Sequence, residues 1–261
     1  MRRIRTIAFT VWIEVIRAKE VYVLLILLAA MLLAVVSLNV FGLGGAARYA
    51  ADTGLLAAWV FAWILTVNVA SRQLPREEQR GTVYSLLAKP VSRFQVVASK
   101  WLGAWTISCA CTLAFYILVA AVVWLKGMLM DPAALVQAYV LHCMALGTVA
   151  AIGIAFSAGM HSDAAASITY VLSGAAFLIL PRIPHYLVNA TEWRAAGLML
   201  LYNLLPHFEV FDMRKRVIHD YGTADWMMFL MVIAYGVILI ALFILIAWAV
   251  YRNRRFSRGN I

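Results

Sequence analysis

The chain has 261 residues, of which 65% are hydrophobic and only 13% are charged, and its mean hydropathy is +0.88. Soluble domains are nearer half apolar and a quarter charged, so this composition excludes a water-soluble fold and predicts that the lipid bilayer is the solvent. The net charge of +10 does not indicate nucleic-acid binding, because the basic residues cluster beside apolar segments, as the charge bias of membrane proteins requires.

Residues 1–20 have the pattern of an amphipathic helix that lies in the plane of the membrane interface. Polar residues recur at helical spacing and form one stripe: Arg3, Thr6, Thr10, Glu14 and Arg17. Apolar residues occupy the opposite face. The alternative is that this segment merely extends the first span into the cytoplasm.

Six stretches are long and apolar enough to cross a bilayer, which takes about 20 residues in a helix. None of them contains Asp, Glu, Lys or Arg. They are Val21–Phe41, Gly54–Ser71, Trp101–Leu125, Ala133–Met160, Ala164–Pro181 and Trp226–Tyr251. The sequence therefore predicts an all-α integral membrane protein in which residues 1–261 form a single transmembrane domain.

Residues that favour helix starts precede three of these spans. Asp131 followed by Pro132 supplies an N-cap and a first-turn proline, and Asp163 and Thr223 are the predicted caps of the fifth and sixth spans.

The distribution of Lys and Arg predicts the orientation. With six spans, 15 basic residues fall on the side of the two termini and 7 on the opposite side, so both termini are predicted to be cytoplasmic. The predicted location of the protein is the inner membrane of the cell. Arg214–Arg216 runs against this bias. An extra crossing near Ala195–Leu205 would move it inside, but that stretch is only about half a span. We therefore expect a re-entrant or interfacial segment in the outer loop, residues 182–225.

The spans offer few groups for chemistry. Ion-coupled carriers need ionisable residues at membrane depth, and only His142 lies inside a span, where a hydrogen-bonded interior residue is the expectation. The outer-loop histidines fit no compact metal-ligand spacing. The chain also contains no G-x-x-x-x-G-K-[ST] phosphate loop. We therefore assign it no catalytic, cofactor or metal residue, and expect ATP and magnesium to bind a partner subunit.

The loop between the second and third spans, residues 72–97, is the most densely charged stretch of the chain. Gly81 can end the incoming helix, Thr82 can cap a short new one, and Pro90 ends it. Ser92 and Gln95 then form a capping box for the third span. The residues alone leave two interpretations open: a stiff surface helix on which a soluble motor acts, or an ordinary solvated loop.

The same loop resembles the signature of the six-helix permeases of type-2 ABC exporters. That signature is an acidic pair, a Gly-Thr, a double Leu, a Pro-x-Ser-Arg and a Lys that opens the next span. The residues that carry the resemblance are Glu77, Glu78, Arg80, Gly81, Thr82, Leu86, Leu87, Pro90, Ser92, Arg93 and Lys100. Glu14 and Arg17 are similar to the charged pair of the family's interfacial helix.

The resemblance implies a permease that exports its substrate as a dimer, with a second copy or a paralogue. Each permease would dock a cytoplasmic ABC ATPase through the short helix after Gly81, and Glu77, Glu78 and Arg93 would help to couple ATP hydrolysis to the spans. Because no large outer domain is present, accessory subunits outside the cytoplasm are a further expectation.

Two other classes of protein remain as alternatives. Glu77-Glu78 is similar to the paired glutamates of membrane prenyl-protein proteases, but Thr82 stands where those enzymes need an arginine. A non-transporting anchor or channel subunit is the second alternative, since Gly147, Gly153 and Gly159 allow close helix packing.

Overall fold

The computed structural model describes residues 2–17, 19–37, 46–79, 92–187 and 192–254. Within these ranges every regular element is a helix, which confirms the predicted all-α class. The α-helices in chain order are α1 (Arg2–Arg17), α2 (Glu20–Ser37), α3 (Ala46–Gln79), α4 (Arg93–Leu125), α5 (Pro132–Ser157), α6 (Ser162–Leu178), α7 (Ile183–Leu187), α8 (Glu192–Leu204), α9 (Arg214–Ile218) and α10 (Trp226–Asn253).

Five of the described helices are long and apolar enough to cross a membrane: α3, α4, α5, α10, and α6 with the turns that follow it. α2 is a shorter apolar helix of 18 residues. α3 extends well beyond the predicted span Gly54–Ser71, because it begins at Ala46 and continues through Pro75 to Gln79.

α5 is the central helix of the bundle. Its residues 141–155 are all buried, and it packs against α3, α4, α6 and α10. Two of the glycines expected to allow close packing do so: a Cβ added at Gly153 would lie 2.9 Å from the Cβ of Ala70, and one at Gly147 would lie 2.9 Å from the Cδ1 of Ile240. Such small residues bring membrane helices into close contact.

α1 is a separate helix that packs on α4. The chain turns between α1 and α2 at Lys19, whose φ of 58° is in the left-handed region, so α1 does not simply extend the first span. Val11 is fully buried, and the indole nitrogen of Trp12 donates a hydrogen bond to the Thr106 hydroxyl at 2.9 Å. At this crossing α4 presents Gly103, which leaves room for α1.

The segment between α6 and α10 contains the stretch Ala195–Leu205, which the sequence predicts to be re-entrant or interfacial. α8, which carries this stretch, is largely exposed, with 58% exposure at Met199 and 69% at Leu200, so it does not enter the bundle. The part that packs against α3 and α5 is the following stretch, residues 205–218. Its side chains Phe208 and Phe211 are buried, because a 3₁₀ turn places both against the bundle.

The helix starts test the predicted caps. The carboxylate of Asp131 accepts hydrogen bonds from the backbone amides two and three residues later, which confirms that cap. The other two predictions are wrong. His161 precedes α6 and Asp163 lies within its first turn, where a carboxylate still favours the helix dipole. Asp225 caps α10 instead of Thr223, since its carboxylate accepts hydrogen bonds from the backbone amides of Met227 and Met228.

The close packing of α1 on α4 at Gly103 predicts that Gly103→Ala changes the stability of the protein. The added Cβ would lie 2.8 Å from the Cβ of Val11 and 2.9 Å from the carbonyl oxygen of Ala8. Replacing a helical glycine with alanine normally stabilises by about 1 kcal/mol, but overpacking costs about 1–3 kcal/mol. We expect a lower thermal unfolding temperature in detergent than that of wild type.

Gly197→Ala is the matched control, because nothing lies within 4 Å of a Cβ added at this helical position. It is expected to be as stable as wild type or more so. Equal unfolding temperatures for the two variants would show that α1 is not seated on α4 as described.

Candidate functional site

Charged side chains gather where several helices end on one side of the bundle. The last turns of α3 carry Arg76, Glu77 and Glu78, and α4 begins at Arg93. Residues 72–79 of the predicted loop belong to α3 and residues 93–97 belong to α4, so that residues 80–92 join them. Of these, residues 80–91 lie outside the described residues.

A capping box fixes the start of α4, as predicted. The Ser92 hydroxyl accepts a hydrogen bond from the backbone amide of Gln95 at 3.2 Å, and the Gln95 side-chain oxygen accepts one from the Ser92 amide at 3.1 Å. Because both first-turn amides are satisfied in this way, the helix start is well defined. It therefore fixes the position of Arg93, the first residue of α4.

Lys100 is the most buried charged residue among those described, with 2% side-chain exposure. Its ammonium nitrogen lies 2.5 Å from the Oε1 of Glu77 on α3. A buried ammonium is costly unless a carboxylate lies against it, so the position of Glu77 is a condition for the packing of α4. This pair joins the last turn of α3 to the second turn of α4.

Arg93 joins α4 to the end of α10. Its Nη1 donates hydrogen bonds to the carbonyl oxygens of Tyr251, Arg252 and Arg254, at 3.0, 2.6 and 3.2 Å. The last carbonyls of a helix have no partner within the helix, and a cation there also favours the helix dipole. Arg93 therefore stabilises the end of α10 from a neighbouring helix.

Glu78 contacts the same end of α10. Its Oε2 lies 2.9 Å from the Nη2 of Arg254, and Arg254 Nη1 also donates to the carbonyl oxygen of Ala158, just after α5. The other carboxylate oxygen of Glu78 is buried and has no hydrogen-bond partner among the described residues. One arginine thus connects the ends of α3, α5 and α10.

α1 joins this arrangement through an ion pair between Glu14 and Arg76, with 3.2 Å between oxygen and nitrogen. Beside this pair is an open polar cleft of about 630 Å³, into which Arg17 also faces. We call the charged residues that connect these helix ends the ion-pair cluster: Glu14, Arg76, Glu77, Glu78, Arg93, Lys100 and Arg254.

The structure describes part of the predicted coupling set. Glu14, Glu77, Glu78 and Arg93 come together in the ion-pair cluster, while Arg17 lines the cleft and Ser92 caps α4. The remaining predicted residues lie outside the described ranges: Arg80, Gly81, Thr82, Leu86, Leu87 and Pro90.

Sequence reasoning missed that Arg76 pairs with Glu14 and that Arg254 pairs with Glu78. Their charge was visible, but the pairs join residues 62 and 176 positions apart, and no local pattern marks such partners.

A second polar group lies in the other part of the bundle. His142 is fully buried, and its ring stacks on Trp59 with 4.0 Å between centroids and parallel planes. Neither ring nitrogen has a hydrogen-bond partner among the described residues, so the expectation of a hydrogen-bonded histidine is wrong and the ring is held by stacking instead. Arg214, held by Asp212 at 2.7 Å, lies 5.8 Å from the centroid of Trp59. The segment 205–218 therefore brings the ion pair of Arg214 and Asp212 to α3, whose apolar stretch contains no charge.

The comparison with known families covers nearly the whole chain. The model of a family described as "ABC-2 family transporter protein" matches residues 7–258. No curated protein matches the chain.

The buried lysine predicts a difference between single and paired substitutions. Glu77→Gln leaves the Lys100 ammonium without its counter-charge, and we expect a loss of about 3 kcal/mol in the free energy of unfolding. Glu77→Gln combined with Lys100→Met removes both charges and should recover most of that loss. Thermal unfolding in detergent measures both.

Glu14→Gln is the matched control, because its partner Arg76 is 34% exposed whereas Lys100 is 2% exposed, and a more exposed pair is worth about 0.2–1 kcal/mol. If Glu77→Gln destabilised the protein no more than Glu14→Gln, the ion pair would not support the burial of Lys100.

Proposed function

Because the chain belongs to the ABC-2 family of transporter proteins, we propose that it is the permease subunit of an ATP-driven exporter. In this proposal a separate cytoplasmic ABC ATPase binds ATP and magnesium and docks on the segment 80–91. ATP hydrolysis by that ATPase moves substrate across or out of the membrane through the permease. The substrate path would lie between this chain and a second permease, either an identical copy or a paralogue.

The observation that carries the proposal is the position of the ion-pair cluster on both sides of the proposed docking segment. Residues 80–91 lie between Gln79, which follows Glu78 and ends α3, and Ser92, the N-cap that precedes Arg93. A displacement of this segment therefore acts on the ends of α3 and α4 directly. Rigid helices joined by such networks are the elements through which coupling between sites is carried.

The cluster extends this connection to helices that do not adjoin the segment. Glu78 reaches α10 through Arg254, and Arg93 reaches it through three carbonyl oxygens. Arg76 of α3 reaches α1 through Glu14. In our proposal these helix ends move as one body when the ATPase binds or hydrolyses ATP.

The proposed topology has six spans, with α2 as the first. Its 18 residues extend about 27 Å, close to the roughly 30 Å of a bilayer's hydrocarbon core. Both termini would then lie on the cytoplasmic side of the inner membrane, with α1 at the interface. The outer segment 205–218 would enter the bundle from the opposite side, where accessory subunits could also bind.

A charge exchange between Glu78 and Arg254 tests the coupling role. We expect Glu78→Arg to lower the ATP hydrolysis of the reconstituted complex by roughly 2- to 30-fold, since residues of a coupling network are worth about 0.5–2 kcal/mol. Glu78→Arg with Arg254→Glu restores an ion pair of opposite sense and should restore the rate. The ATPase that co-purifies with the permease is measured in the same preparation.

Asp52→Arg is the control, because Asp52 is an exposed acidic residue near the other end of α3; it should leave hydrolysis unchanged. The proposal fails if no ATPase co-purifies with the wild-type chain. The coupling assignment alone fails if the complex forms and Glu78→Arg hydrolyses ATP at the wild-type rate.

A further inference from the structure

A cavity of about 190 Å³ lies between α3, α5 and α6, away from the ion-pair cluster. Its walls are mostly large apolar and aromatic side chains, among them Trp59, Trp63, Leu146, Val149 and Phe177. Phe208 of the outer segment also lines it. All of these residues belong to one copy of the chain, so the cavity does not need a second permease to form.

Contacts behind the walls hold the aromatic rings in place. The Trp63 indole nitrogen donates to the Ser173 hydroxyl at 2.8 Å, and its ring packs edge-on against Tyr170 at 5.2 Å. Trp59 is fixed between His142 at 4.0 Å and Phe177 at 5.5 Å. The cavity is therefore pre-formed, and a ligand would not have to order its walls.

The lining offers almost nothing to a polar ligand. None of its residues is charged, and Ser173 carries its one hydroxyl. That hydroxyl accepts from Trp63 and donates to the carbonyl oxygen of Thr169, so its hydrogen bonds are already made. Apolar cavities of this kind stay free of water and bind hydrocarbons.

The mouth of the cavity opens through the side of the bundle. Leu56 and Val60 on α3 and Leu178 on α6 line it and are 45%, 39% and 58% exposed. Both helices are of membrane-spanning length. In a protein of a membrane transporter family, apolar side chains on the flank of such helices face lipid hydrocarbon, so the molecules nearest to the mouth are acyl chains.

We propose that this cavity binds the terminal segment of a lipid acyl chain that enters from the bilayer. An apolar cavity of about 150 Å³ accommodates benzene, so this one has room for a hydrocarbon segment of roughly six carbon atoms. Because Phe208 lines the cavity, the inserted chain would also contact the outer segment. The proposal rests on the membrane setting and is independent of the ATPase coupling.

Gly174 provides the means to close the cavity. A Cβ added there would lie 3.6 Å from two ring carbons of Trp63, which is ordinary van der Waals contact. Gly174→Ala should therefore leave the cavity open, whereas the longer side chain of Gly174→Leu would fill it. Gly197→Leu is a control of equal size at a helical glycine with no neighbour within 4 Å.

The test uses the full chain in bilayers that contain phosphatidylcholine with a diazirine at the end of one acyl chain. After illumination, labelled residues are identified by peptide mass spectrometry. We expect adducts on Leu146 and Val149, which line the cavity and are only 2% and 4% exposed. These adducts should persist in Gly174→Ala and Gly197→Leu and be lost in Gly174→Leu.

Adducts confined to exposed residues such as Leu56 and Leu178 would overturn the proposal. They would mean that lipid covers the mouth without entering. Absence of label from the mouth as well would indicate that a second permease covers it, and would also overturn the proposal. If Gly174→Leu fails to fold, the presence or absence of adducts on α5 of the wild-type chain still decides whether an acyl chain enters the cavity.

Discussion

The ammonium of Lys100 is compatible with its buried position only because the carboxylate of Glu77 lies 2.5 Å away. Taking an unpaired charge out of water costs several kcal/mol, and Lys100 is only 2% exposed. α4 can therefore pack against α3 only if α3 remains helical far enough to carry Glu77 to this point. The length of α3 is thus part of the same constraint.

That length also explains how one helix carries both an apolar span and a charged end. The 34 residues of α3 extend about 51 Å, well beyond the roughly 30 Å hydrocarbon core. The part beyond the core reaches Arg76, Glu77 and Glu78, which pair with residues of α1, α4 and the chain after α10. A helix that ended with the apolar span at Ser71 would place none of these charges where their partners lie, whereas the sequence predicted an incoming helix that continues to Gly81.

Local patterns predicted the parts of the fold that local physics determines. The charge-free stretches predicted the long apolar helices, and Asp131 and the Ser92–Gln95 box predicted two helix starts, because a cap acts on amides within three residues. The cap of α10 was misplaced because Thr223 and Asp225 are both acceptable cap residues, and only the structure shows where the helix begins.

Such local patterns do not predict contacts between residues that are far apart in the sequence. The pairing of Glu78 with Arg254 depends on how α10 returns to α3. The stacking of His142 on Trp59 and the position of Arg214 beside the same ring depend on how the outer segment folds back. The sequence indicated an interior His142, but it contained no sign that an aromatic ring would be its neighbour in place of a hydrogen-bond partner.

The proposed coupling requires that the ion-pair cluster make the ends of α3 and α10 a single body. Its most direct test is the distance between spin labels at Gln79 and Asn253, two exposed positions on either side of the Glu78–Arg254 pair, measured by pulsed electron paramagnetic resonance in the complex with its ATPase. If the two helix ends move together, the distance distribution is the same with and without trapped ATP. A nucleotide-dependent shift between these two labels would show that the helix ends move independently, and would contradict the proposed coupling.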